Sequence, residues 1–368
     1  MKEARPVFWL PGHPIMSGTS MLRYWYFMQE AADRTGDFQA GCILGRPEAI
    51  TGGEKVGRLR KAFIKYLGYP LMARKSPAGA IHHILDHSWA HLVRMLPKNS
   101  PRIVTVHDLI PLRFHDGLTK AQVERYRHVI GNVRHCDAVI ADSAYTKSEI
   151  QHFFGLKEEL IHVVPLGVNP VAPRTAPAVE GRIAGTVAEA RRGGGELMVG
   201  CLGSPVGRKN LFLLAQAVER LRQRKYPVVI VKAGPPALGT AAAPFQKLQS
   251  EGGLIDLGFI SDAEVCDFFG SIDALCMPSL YEGFGLPVIE AMAAGVPVVC
   301  SGVTSLPEVA GDAALLFDPY SVEALEEKLE KLFDPQIRAD LAHRGLNRSA
   351  DFTWDATLAK CREIYQRF

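Results

Sequence analysis

Short, continuously apolar, β-branched runs alternate along this chain with longer amphipathic segments, and that alternation limits its fold more than any other feature. "PVFWL", "RIVTVHD", "DAVIADS" and "IHVVPLG" come first; "LMVGCLG", "YPVVIVKAG", "LIDLGFI", "IDALCMPS", "VPVVCSG" and "AALLFD" follow. A strand that is apolar at every position must be covered on both faces, so such strands separated by helices predict parallel sheets with helices on each side. Helix signals fill the gaps. Ser261 with Glu264 spells a capping box at the start of "SDAEVCDFFGS", and Val322, Leu325, Leu329 and Leu332 lay an apolar stripe along "SVEALEEKLEKLF".

At 368 residues the chain exceeds one ordinary domain. Residues 169–196, rich in Pro, Ala, Gly and charge, read as a linker or exposed segment dividing two α/β halves of similar length. Two doubly wound halves leave a cleft between the carboxyl ends of their sheets, and ligands of such folds bind where strands end and helices begin. The chemistry is therefore expected just after strands.

A net charge of +3 gives no support for a nucleic-acid partner. One basic cluster stands out: from Lys55 to Lys75 there are seven Lys or Arg and no acidic residue, interleaved with Leu, Phe, Ile and Tyr. That pattern suits a peripheral helix drawn to anionic headgroups, and equally a solvated basic helix face. The seven cysteines show neither CxxC pairs nor metal-ligand spacing, and several sit in apolar runs, as buried thiols of a reducing compartment do. No segment reaches the roughly 20 apolar residues of a spanning helix, and the N-terminal apolar run is too short for a signal peptide. The expected location is cytoplasmic, with peripheral contact at the inner face of the plasma membrane as an added reading.

Four stretches carry chemistry. After "VGCLG" comes "SPVGRKNLFLLAQAVERL", which sets Arg208 and Lys209 beside the start of an amphipathic helix. Two fixed cations at a helix N-terminus make a phosphate site, although on these residues alone a surface Arg-Lys pair reads the same way. After "PVFWL", Gly12 and Gly18 precede a helix beginning near Thr19 or Ser20, a loop that lets backbone approach a ligand. It lacks G-x-G-x-x-G and a following acidic residue, so a nicotinamide dinucleotide is not indicated; a plain connection reads almost as well.

His107 and Asp108 end the strand of "RIVTVHD". A neutral imidazole there could donate to a substrate or offer its lone pair, while the plainer reading is a satisfied structural histidine, with Asp108 capping the next turn or orienting His107. Last, "YEGFGLPVIE" follows a buried strand. Pro287 suits a first helical turn, and Gly283 and Gly285 expose amides at the helix's positive end. Glu282 falls in the loop and Glu290 inside an apolar helix, where a carboxylate without a partner is costly. Two such carboxylates can each grip a vicinal diol, holding two sugars of one donor with the loop amides between.

Together these residues resemble the retaining GT-B glycosyltransferases of family 4, the glycosyltransferases group 1. The likeness runs through nearly the whole chain and is strongest in "PSLYEGFGLPVIEAMAAGVPVVCSGVTSLPEVAGDAALLFDP". "VTVHDLIPL", "ADSAYTKSEI", "VVPLGVN", "GRKNL" and the terminal "FTWDATLAKCREIYQRF" match in order.

The resemblance implies a GT-B fold, two Rossmann-like doubly wound domains facing across a cleft. Residues 1–170 would form the N-terminal acceptor-binding domain, 171–352 the C-terminal donor-binding domain, and 353–368 a helix crossing back to the N-terminal domain. It implies that Arg208 and Lys209 bind the donor diphosphate and Glu290 the ribose. Glu282, with the amides of Phe284, Gly285 and Leu286, would hold the transferred hexose, which His107 would approach from the first domain. His107, Glu282 and Lys209 would be the catalytic set. No cofactor and no divalent metal would be needed, the leaving diphosphate itself helping to take the acceptor proton.

Two departures from the family pattern stand in this chain. The usual Gly-Gly loop is "MSGTSMLRY", from which only Gly18 carries over, and "LGSPVGRK" lacks the Arg that often follows the strand glycine, a place Arg208 would fill. "HDLIPL" and "GRKNL" resemble mannosyltransferases of surface-polysaccharide assembly, which points to GDP-mannose as donor, then a UDP-hexose, with a glycan or lipid-linked acceptor. The competing readings are a sugar-nucleotide 2-epimerase of the same architecture, which needs another acid/base set, and a non-catalytic sugar-binding protein, which leaves the Arg-Lys pair unexplained.

Overall fold

A computed structural model of the chain describes residues 5–16, 19–46, 57–115, 117–169, 181–191, 195–203, 207–236 and 242–368. The chain forms two compact units, Met1–Gly167 with Thr353–Phe368, and Val168–Phe352. Each holds one sheet of six strands, paired in parallel throughout.

In the first unit β1 is Val7–Leu10, β2 Ala40–Cys42, β3 Ile81–Ile84, β4 Arg102–Val106, β5 Ala138–Ala141 and β6 Ile161–Val163. They lie in the order β2-β1-β3-β4-β5-β6. In the second unit β7 is Leu197–Leu202, β8 Val228–Ala233, β9 Leu254–Asp256, β10 Ala274–Met277, β11 Val298–Ser301 and β12 Ala314–Phe317, in the order β12-β11-β10-β7-β8-β9.

Strand order matters because ligands of open parallel sheets gather where it reverses. In the first sheet the chain moves outward from β1 to β2, then returns to place β3 on the other side of β1; in the second the reversal lies between β7 and β10. The loops leaving β1 and β3, and those leaving β7 and β10, flank these two points.

The strands form where the sequence is apolar at every position. Val104 of β4 sits between Ile84 and Val139 in register, all fully buried, and β8 is buried along its whole length. Leu325, Leu329 and Leu332 join the core of the second unit, and Val322 packs at its margin, as the stripe predicts. Helix starts are marked by side-chain caps: Ser143 accepts from Thr146 N, Ser321 from Ala324 N and Thr353 from Ala356 N. Each satisfies a backbone N–H with no partner inside its own helix.

Two expectations change. Part of the segment read as a linker is the helix Arg182–Ala190, whose Ile183 and Val187 are buried and whose Ile183 N donates to Asp267 Oδ2 at 3.2 Å. An i, i+4 pair of β-branched residues docks it despite the Ala and Gly around it. At Ser261 only the reciprocal half of the capping box forms. Its amide and hydroxyl both donate to Glu264 Oε2, at 2.8 and 3.0 Å.

The final helix, Trp354–Tyr365, belongs to the first unit. Tyr365 Oη receives Trp9 Nε1–H at 3.2 Å and lies 2.6 Å from His83 Nδ1, all three side chains being buried. Thr357 Oγ1 donates to Pro165 O at 2.8 Å.

Candidate active site

At the reversal point of the second sheet, the loops after β7 and β10 are tied together. Leu280 N donates to Arg208 O, and Arg208 Nη1 to Tyr281 O, each at 2.8 Å. The same Arg208 Nη1 lies 3.1 Å from Glu282 Oε1, and Lys209 Nζ lies 2.7 Å from that oxygen. Burial alone would raise the pKa of Glu282; Lys209 and then Arg208 more than offset it, so the carboxyl titrates below its ordinary value. Two cations thus converge on one buried carboxylate, leaving a net positive charge.

Backbone geometry presents these groups. Gly203, just after β7, has φ +119°, and a Cβ there would meet the Lys209 side chain at 3.3 Å, so the lysine lies along the bare backbone. Asn210, at φ 52°, precedes the helix Leu211–Gln223 and donates through Nδ2 to Pro319 O at 2.8 Å. The loop after β10 is held from behind: Ser305 Oγ donates to the carbonyls of Glu282 and Phe284, at 3.0 and 2.9 Å.

Gly285, at φ +104°, starts the helix Leu286–Ala293, with Pro287 in its first turn as expected. The amides of Phe284, Gly285 and Leu286 donate to no described residue. They stand at the positive end of that helix, where anions and hydroxyl oxygens are favoured. Glu290 is buried one turn inside the same helix and is not without a partner. Arg208, Lys209, Glu282, Phe284, Gly285, Leu286 and Glu290 therefore belong to one region of the second unit, whereas Gly18 lies outside the described residues.

His107 is in the first unit, beyond the end of β4, and is 4% exposed. Its Nδ1–H donates to Asp142 Oδ2 at 2.7 Å and its Nε2–H to Leu85 O at 2.9 Å. Both partners are acceptors, so both ring nitrogens carry protons. Burial would lower the pKa, but Asp142 outweighs it and pushes the value up to about 9. With both ring nitrogens engaged, His107 has no free lone pair to offer, and because burial raises the pKa of Asp142 too, the two buried groups share the proton between them. Asp108 caps the next turn, accepting from Ile110 N at 3.0 Å, and Asp142 takes the orienting role.

Sequence reasoning also passed over Lys232. It is buried in β8, with Nζ 3.1 Å from Asp256 Oδ1 and 3.2 Å from Gly234 O. A lysine in the middle of "VVIVKAG" was the available signal.

The sequence model of the family described as "Glycosyl transferases group 1" matches residues 188–348, which take in every residue of the second-unit site. That described as "Glycosyltransferase Family 4" matches residues 45–172, His107 among them. The chain thus joins a Glycosyltransferase Family 4 domain to a Glycosyl transferases group 1 domain.

Two relatives show how close the likeness runs. O-antigen chain mannosyltransferase B of Escherichia coli is 35% identical over 169 residues, 45% of this chain and 44% of that protein. MMP alpha-(1->4)-mannosyltransferase of Mycolicibacterium hassiacum is 32% identical over 246 residues, 64% of this chain and 55% of that protein. The chain spans about half the length of each of these relatives. Among solved structures, HepE of Anabaena in complex with UDP and glucose superposes with a TM-score of 0.74 at 14% identity, covering 99% of this chain and 100% of the other. The fold of the chain is GT-B.

Proposed function

We propose that this glycosyltransferase moves a hexose, with retained anomeric configuration, from a nucleoside diphosphate sugar to a glycan or lipid-linked acceptor of surface-polysaccharide assembly. GDP-mannose is the proposed donor. The observation that carries the reading is the convergence of Lys209 and Arg208 on Glu282 at the reversal point of the second sheet. In the reaction the bond from the anomeric carbon to the diphosphate breaks and one to an acceptor hydroxyl forms, the hydroxyl's proton passing to the leaving diphosphate. Negative charge gathers on that diphosphate, and fixed cations with helix-end amides stabilise it without reorganising.

In this reading Glu290 binds the ribose, and the amides of Phe284, Gly285 and Leu286 with Glu282 bind the hexose. Glu282 positions hydroxyls and does not attack carbon: a carboxylate whose oxygen is shared by two cations is a weakened nucleophile. No divalent metal takes part, so a chelator is expected to leave turnover unchanged. The two mannosyltransferase relatives support GDP-mannose. A UDP-hexose is the second reading, favoured by the fold neighbour that carries UDP and glucose. The acceptor half is proposed to touch the membrane surface through the basic stretch Lys55 to Lys75.

The test is a screen of GDP- and UDP-sugars for thermal stabilisation, followed by transfer to a polysaccharide acceptor with the anomeric configuration of the product determined. A saturating donor at 100 times its Kd adds roughly 2.7 kcal/mol of stability. No shift with any nucleotide sugar would remove the proposal. Free-sugar binding indifferent to nucleotide would favour a binding protein, and C2 inversion of the donor sugar without an acceptor would favour an epimerase.

A further inference from the structure

Two histidines stand in the loops that flank the reversal point of the first sheet, His13 after β1 and His87 after β3. In each, the Nδ1 lone pair receives a main-chain amide. Ile15 N donates to His13 Nδ1 at 3.4 Å, and His107 N to His87 Nδ1 at 3.3 Å. A ring nitrogen that accepts carries no proton, so in both neutral rings the proton sits on Nε2.

Both rings are held neutral near pH 7. Burial lowers the pKa of His13. At His87 burial is again the largest influence; Asp108, Asp86 and Asp142 oppose it, His107 adds to it, and the net shift is downward. Each Nε2–H is thus a fixed, uncharged donor. Among the described residues neither finds an acceptor, and neither atom is sealed inside the protein. His83 and His107, by contrast, spend both ring nitrogens within the fold.

The two loops are braced against each other. The His13 ring meets Tyr69 edge-on, 5.8 Å between centres, and lies 6.4 Å from Trp89, which follows His87 by two residues in the 3-10 helix His87–Arg94. Asp86 caps that helix, accepting from Ser88 N at 2.8 Å. The rings of His107 and Tyr126 stand 5.9 and 6.1 Å from that of His87, which is 6% exposed. A ring clamped in this way aims its N–H in one direction and loses little freedom when a ligand arrives. The ligand must bring oxygen lone pairs. Three carboxylates act on His87, and they disfavour an anion there while leaving a neutral hydroxyl unopposed.

We propose that His13 and His87 donate their Nε2–H groups to hydroxyl oxygens of a neutral acceptor sugar, as a pair of acceptor-binding residues in the first unit. The inference deepens the transferase reading and rests on it. It places a substrate contact of this unit on the neighbour of His107, since His107 gives its amide to His87 and keeps its ring for Asp142 and Leu85.

The experiment is long-range proton–nitrogen NMR of the full chain, labelled at histidine, near neutral pH. It is titrated with short oligosaccharides ending in mannose, glucose, galactose or N-acetylglucosamine, and separately with inorganic phosphate. His13→Asn and His87→Asn each remove one set of signals and so assign it. Asparagine Oδ1 can take the amide that imidazole Nδ1 takes, so these variants keep the internal bond and lose only the outward donor. Both native rings are expected as the Nε2–H tautomer, with at least one oligosaccharide moving both Nε2 signals. The double variant H13N/H87N should bind that sugar about 25-fold more weakly, about fivefold for each neutral hydrogen bond lost. In transfer assays the acceptor KM should rise by the same factor while the donor KM stays at its native value.

A proton on Nδ1 of either ring, no movement with any of the sugars, or equal sugar binding by native and double variant would overturn the pair. Phosphate moving both signals where no sugar does would overturn the neutral-sugar class. Donor-induced thermal stabilisation is read separately and is expected unchanged in the variants. Its absence from native protein whose two histidines still respond to a sugar would overturn the transferase reading and support the sugar site.

Discussion

Lys209 and Arg208 share a single acceptor atom, Glu282 Oε1, and that sharing makes the site testable one residue at a time. Lys209→Ala removes the shorter contact, and the loss of one fixed donor to a developing anion costs about 10²- to 10³-fold in turnover. Steady-state transfer by the folded variant checks this; near-native turnover would rule out the phosphate role. His107 offers an independent check by NMR. Its imidazolium gains stability that is fully present below the ordinary histidine pKa of 6.5 and is lost as pH rises through about 9. Asp142→Asn should bring the His107 midpoint below 7, while Asp142→Ala, which leaves a buried neutral imidazole with an unsatisfied nitrogen, should cost about 1–3 kcal/mol of stability. A His107 midpoint unmoved by Asp142→Asn would show that the carboxylate does not hold the proton.

Among the elements, the helix Leu286–Ala293 depends on its entry. Gly285 has φ +104°, and a Cβ there would meet Leu306 Cδ2 at 2.7 Å. Gly285→Ala is therefore expected to lose roughly 1–3 kcal/mol, measured by denaturant unfolding, and to weaken donor binding by turning the loop amides. Elements like this one were readable because their cues are local: an apolar strand, then Gly and Pro at fixed offsets. β3 was not, since "IHHI" places two polar side chains at its centre. In the fold His82 lies against Ser76, and His83 is held by Tyr365 and Thr105, while burial pushes the His83 pKa down to about 3. Tyr365 is 282 residues from His83, so nothing near "IHHI" announces that its histidines are core. β2 is three residues long and offers no period to read. The convergence of Arg208, Lys209 and Glu282 on one loop region was legible from spacing and family likeness, whereas the pairing of His107 with Asp142, 35 residues away, was not.

For the molecule as a whole, the first unit is made from two separated pieces of chain. Gly167 closes against the second piece, because a Cβ there would stand 2.4 Å from Trp354 N. A chain ending at Phe352 should leave Trp9, His83 and Pro165 without their partners on the final helix, yet leave the second unit complete. Limited proteolysis with mass mapping is expected to show cleavage throughout residues 5–167 and resistance in 197–349; a protected first unit would refute this. The same division sets an order of events at the ribosome. The second unit is continuous in sequence and is complete on emergence, but the first must wait until the whole of Val168–Phe352 has been translated before its last helix arrives. At usual synthesis rates that interval is roughly 10–40 s. Throughout it, the side of β1 and β3 that the helix Trp354–Tyr365 covers stands open, with Trp9 and His83 waiting for the hydroxyl of Tyr365.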